Sequence, residues 1–156
     1  MNMVILIIYL FVFVSPISTL IHEGGHALGA KLVQADRIDL TIGNGKEKCS
    51  IRLKNIVIIL RTNFFFGGLT ESERKQPYKP WEMACITVCG PLMNSLFALL
   101  FYILYTIYTS EYILVFSLLN GWMALANFVP YKINNKKSDG YVFFNILFNQ
   151  LFKSGS

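Results

Sequence analysis

Long apolar runs alternate with short polar, basic stretches along the chain. Met1–Ile21, Met83–Ser110 and Tyr112–Tyr131 carry no charged side chain. Each is long enough to cross a hydrocarbon core, which takes about 20 apolar residues. Three transmembrane helices are therefore expected, over about residues 3–30, 82–108 and 112–130. Tyr141–Phe152 is apolar but short, so it reads as an interfacial or docked helix. Between the first two spans the period changes. Ile38, Leu40 and Ile42, then Cys49, Ile51 and Leu53, alternate with polar residues on either side of Asn44-Gly45, a hairpin signal. The β-branched run Ile56–Ile59 follows, then Phe64–Phe66 closed by Gly67-Gly68. Three or four strands are expected within residues 37–69, some apolar enough for the membrane interface. Residues 70–80 are polar and proline-punctuated, a linker. The expected fold is a polytopic α-helical membrane protein. It has three transmembrane helices, a small membrane-associated β-sheet between the first and second, and a short C-terminal interfacial helix. A single core fills residues 1–152. Residues 153–156 form a tail whose Ser-Gly-Ser reads as cloning-derived.

Composition agrees. The 156 residues are 54% hydrophobic and only 15% charged, more apolar than a soluble domain of this size. A net charge of +5 in a soluble protein would suggest nucleic acid. Here no Lys or Arg falls in residues 1–30 or 80–131. Charge-free blocks of membrane length exclude a nucleic-acid surface and follow the positive-inside rule. Residues 31–80 and the tail from Lys132 are expected in the cytoplasm, and the N-terminus and the Thr109–Glu111 turn outside. The chain is thus a multi-pass protein of the cell membrane, with the bilayer as a partner. The first span lacks the basic start and small-residue cleavage site of a signal peptide. Abundant Lys, Ile and Asn point to an AT-rich bacterial genome.

The chemistry lies at the end of the first span, in "HEGGH". His22 and His26 are the only histidines, and at i and i+4 they share one helix face. Two imidazoles on one face can hold one zinc ion, and Glu23 beside them suits a general base. Burying three such groups beside an apolar helix is costly unless they serve a site. A catalytic zinc takes a third protein ligand and leaves a position for water. Asp139 is a candidate, because it opens the last apolar segment; alternatively it merely caps that helix. Cys85 and Cys89 read as small apolar packing groups.

Three motifs then coincide: "HEGGH" in an apolar helix, "GPLMN" inside the second span and "NFVPYKINNKKSDG" after the third. Together they resemble the site-2 protease family of intramembrane zinc metalloproteases, over about Ser15 to Leu151. The resemblance implies one Zn2+, held by His22, His26 and Asp139, with Glu23 catalytic. It maps the Gly-Pro-x-x-Asn motif onto Gly90, Pro91 and Asn94, and the Asn-x-x-Pro unit onto Asn127 and Pro130. "FFFGGL" is similar to the family's Gly-Gly strand. Asn94 and Asn127 are accordingly expected to hold an unwound substrate or its oxyanion. Gly67 and Gly68 would let a substrate strand add near Phe64–Leu69. Two departures stand out: the Pro130–Asp139 interval is long and basic, and Ser138 replaces an apolar residue before Asp-Gly.

The expected function is hydrolysis of a peptide bond in or beside a transmembrane segment of a membrane-bound peptide or protein. A regulatory membrane partner has room in this picture. The alternative is a non-proteolytic membrane scaffold of the same fold that binds a partner, against which the intact His22, Glu23, His26 and Asp139 set argues. The charge pattern yields a test. In a background without Cys49, Cys85 and Cys89, an impermeant thiol reagent added outside should label Ser110→Cys and spare Lys75→Cys. The reverse pattern would invert the orientation.

Overall fold

A computed structural model describes residues 3–134 and 136–153, so the final Ser-Gly-Ser lies outside the described residues. Helix α1 runs from Met3 to Leu32. Residues Leu10–Val14 form a π turn in which the Ser15 N–H reaches back to Leu10 O. The cause is Pro16, whose ring would clash with the carbonyl four residues earlier; a wider turn relieves it. Helix α2 spans Pro80–Tyr108, with Pro80 at its start and Glu82 accepting the Lys79 N–H at 2.6 Å, half of a capping box. Helix α3 spans Glu111–Phe128, separated from α2 by two residues, which makes the two antiparallel neighbours. Helix α4 spans Asp139–Lys153 and packs on α2 and α3.

The surface is inverted relative to a soluble protein. The fully buried side chains include Ser18, Asn94 and Asn120, each 0% exposed, while Leu96, Leu99 and Ile107 are 57%, 58% and 65% exposed. On α1 the buried stripe is polar or small (Ser18, His22, Gly25, Gly29), and Ile17, Leu20 and Leu28 face outward. Apolar exterior around a polar seam is the pattern of a bundle solvated by lipid. Helices α1 and α2 are long and apolar enough to cross a membrane. The third expected span, α3, has 18 residues, about 27 Å of helix, and is not one of that pair. The helices close because Gly25 and Gly29 admit the α2 backbone. A Cβ at Gly29 would lie 2.9 Å from Ile86 Cα, and one at Gly25 would fall on the Cys89 carbonyl.

The sheet differs from expectation. Instead of three or four strands over 37–69, two long strands, β1 (Arg37–Leu53) and β2 (Ile56–Glu73), form an antiparallel pair. Each bends and pairs twice. Ile38–Ile42 lie opposite Ser72–Gly68 in reverse order and also beside Ile56–Leu60, while Cys49–Leu53 fold back on Leu60–Ile56. The chain changes direction around Asn44-Gly45, but the runs it joins, 38–42 and 49–53, lie on either side of Ile56–Leu60 and do not pair with each other; the tight hairpin turn is at Lys54-Asn55, with Lys54 at φ 55°. Gly43 and Gly45, at φ 83° and 94°, bend β1, and a Cβ at Gly43 would lie 2.5 Å from Phe64 Cα. The glycines mark a bulge and a close crossing. Ile38, Leu40 and Ile42 pack on Ala27 and Ala30 of α1, which seats the sheet against the histidine helix.

Two polar devices tie the remaining pieces. The Arg74 guanidinium binds Glu82 at 2.7 and 3.0 Å and Val33 O at 2.8 Å, and lies 4.7 Å from the Tyr78 ring centre. It thereby joins the end of α1 to the start of α2. At the other end, the rings of Tyr9 and Tyr112 meet edge to face at 4.9 Å. A short hairpin, β3 (Lys132–Ile133) with β4 (Lys136–Lys137), precedes α4. Ser138 is the N-cap of α4: its hydroxyl accepts the Tyr141 and Tyr131 N–H groups and donates to Val129 O at 2.7 Å. That accounts for the hydroxyl directly before Asp139, and it leaves the Asp139 carboxylate free of capping duty.

Candidate metal centre

Residues from three elements converge below the sheet. His22 Nε2, His26 Nε2 and Asp139 Oδ2 form a triangle with sides of 3.2, 3.1 and 3.4 Å. The outer nitrogen of each ring is committed. His22 Nδ1 lies 2.6 Å from Asn94 Oδ1, and His26 Nδ1 lies 2.9 Å from Ile86 O. Both oxygens only accept, so both Nδ1 atoms carry the proton and both Nε2 lone pairs point inward. Three lone pairs thus face one another at close range, an arrangement that asks for a cation.

Zinc fits. A tetrahedral zinc with bonds of about 2.0–2.1 Å sets its donors about 3.3–3.4 Å apart, close to the observed sides. His22, His26 and Asp139 are also the group that can hold a metal ion among the described residues. Space is made by omission, since a Cβ at Gly90 would fall on the His26 ring.

Glu23, on the next position of the helix, is buried and borders the same cavity of about 500 Å3. The Thr70 hydroxyl lies 2.7 Å from its Oε2 and 3.0 Å from its backbone oxygen, with one proton to divide between them. A Cβ at Gly68 would lie 2.5 Å from Glu23 Cγ, so β2 passes as close to the glutamate as backbone allows. The edge of the sheet here is Gly68–Ser72, slightly beyond the expected Phe64–Leu69. Asp36 N–H donates to Glu73 O at 2.9 Å, so residues 73, 71 and 69 turn their backbone groups to β1. By alternation, Gly68, Thr70 and Ser72 turn theirs outward.

The two asparagines part company. Asn127 lines the cavity, with its amide bonded to Met123 O at 2.9 Å. Asn94 is fully buried behind His22. Its Nδ2 donates to Ser18 O at 3.3 Å and Asn120 Oδ1 at 2.8 Å, and Asn120 donates to the Ser18 hydroxyl at 2.9 Å. Both ends of its amide are taken by protein groups, with the oxygen facing His22. Of the two glycines, Gly68 meets Glu23, whereas Gly67 makes a bend at φ 72° with open space around it. Sequence reasoning missed Asn120, Ser18 and Thr70. A polar residue in the middle of an apolar span, as Asn120 is, was the available signal.

Comparison with known proteins completes the picture. The model of Peptidase family M50 matches residues 7–153, a stretch that holds the whole triangle, Glu23 and the sheet edge. Comparison with curated proteins gives no match. With nearly its whole length matched, the chain belongs to peptidase family M50, the site-2 protease family of membrane metalloproteases.

Proposed function

We propose that this protein is an intramembrane zinc endopeptidase, with His22, His26 and Asp139 as metal ligands and Glu23 as general base. The observation that carries the reading is the triangle of inward lone pairs with a buried carboxylate beside it. Zinc held there would supply Lewis-acid polarisation of the scissile carbonyl and acidification of water. The chain's own residues do the rest. Glu23, steadied by Thr70, accepts a proton from the attacking water and returns it to the leaving amine. Asn94 orients His22, and Ile86 O orients His26, as second partners of ligating imidazoles do. The outward backbone groups of Gly68, Thr70 and Ser72 suit an extended, partly unwound substrate added as a strand, with Asn127 on the facing wall.

In this reading α3 is the third span, shortened because its polar end, at Asn127, lies at the cavity. The Tyr9–Tyr112 end, whose turn carries no Lys or Arg, faces outward and the Arg74–Glu82 end faces the cytoplasm, which supplies the water. Two experiments test the assignment. Glu23→Gln should retain the metal and lose cleavage of a membrane reporter by about 10²–10⁴-fold; near-native cleavage would remove Glu23 from the mechanism. Gly68→Ala places a methyl against Glu23 and should cut the rate by up to about 10²-fold with little change in melting. Gly67→Ala has room for the methyl but strains the backbone, so it should lower stability by about 1 kcal/mol. Equal behaviour of the two variants would separate the strand from the base.

A further inference from the structure

A second hollow, of about 830 Å3, lies between the start of α2 and one face of α4. Tyr78, Met83 and Lys137 line both it and the cavity of the metal centre, so the two are continuous. The Tyr78 hydroxyl bonds Ser72 Oγ at 3.2 Å, which joins the end of the sheet edge to the start of this groove. A chain lying along Gly68–Ser72 runs on into it. The α4 wall combines apolar Val142 and Ile146 with Asn145 and Asn149. Carboxamides both donate and accept, as a peptide backbone requires.

Charge says what kind of chain. Lys132 and Lys137 face each other across the β3–β4 ladder, with Lys136 adjacent, all three exposed. Like charges directly opposite destabilise a ladder. Among the described residues none of the three lysines forms an ion pair; Lys137 instead lies 5.8 Å from the Tyr141 ring centre, over the groove wall. Among the described residues no acidic side chain lines the groove. We infer that this groove is an extension of the substrate cleft for the segment flanking the scissile bond, and that Lys137 selects an aspartate or glutamate in that segment. The inference rests on the proteolytic reading of the metal centre and adds a substrate class to it.

The test uses full-length, metal-loaded protein in zwitterionic micelles. The probes are synthetic amidated peptides, each an apolar span with a flank carrying Asp or Lys at one varied position; amidation removes the terminal carboxylate as a competing source. At the preferred position the Asp peptide should be cleaved about fivefold or more faster in kcat/KM than its Lys counterpart, the scale of one exposed ion pair. Lys137→Glu should invert that ratio, and Lys54→Glu, on the sheet turn, should leave it in place. In the Glu23→Gln protein, a photo-crosslinking residue at Asn149 should capture the Asp peptide in preference to the Lys peptide, independently of catalysis. Equal rates at every position, a ratio unmoved by Lys137→Glu, or indifferent crosslinking would overturn the inference and leave the protease standing. Cleavage by the Glu23→Gln protein, or none by the native one, would overturn the proposed function and this inference with it.

Discussion

An imidazole enclosed by apolar helices is useful to a metal only if its proton sits on the far nitrogen, and the 2.6 Å contact of His22 with Asn94 arranges this. An unbonded amide or imidazole in that setting would be costly. Asn94 is therefore itself held by Ser18 and Asn120, so one chain of polar groups links α1, α2 and α3. The bundle is organised around that chain. Small residues at Gly25, Gly29 and Gly90 bring α2 near enough for Ile86 and Asn94 to reach the two rings, and packing without a hydrophobic drive between lipid-exposed helices relies on such contacts.

The same constraint explains how a reaction that needs water is placed beside helices that exclude it. The triangle lies toward the end of α1 that carries Lys31 and faces the sheet, where the cavity is open to Thr70, Ser72 and Lys137. The opposite half of α1, from Met3 to Val14, presents Ile5, Ile8 and Phe11 outward. Arg74 fixes the polar end by joining Val33 to Glu82. The strand passing Glu23 at the contact limit of Gly68 closes the other side.

How much of this was legible depended on the range of the interaction. His22, Glu23 and His26 were readable because helix periodicity alone puts them together, and the two long apolar helices α1 and α2 because length and hydropathy are local properties. Asp139 is 117 residues from His22, and only the resemblance assigned it. Asn94 and Asn127 looked alike as polar residues near apolar spans. What separates them is helix rotation: one turns to His22, the other to the cavity, and hydropathy does not encode that choice. Asn44-Gly45 marks a change of direction, as its dipeptide suggests, but the runs on its two sides are separated by Ile56–Leu60, a long-range pairing that local alternation does not encode. Ser138 stood out as a departure, and its role became visible only once the Val129 and Tyr131 backbone groups were seen to meet it.

The account turns on two imidazoles and one carboxylate holding zinc with no thiolate involved, although Cys85 and Cys89 sit nearby on α2. Zinc-edge X-ray absorption of the purified protein tests that directly. The result predicted is one zinc per chain with an all nitrogen and oxygen shell at about 2.0–2.1 Å, including two imidazoles. A sulfur shell at about 2.3 Å, or a protein that retains no zinc, would contradict it.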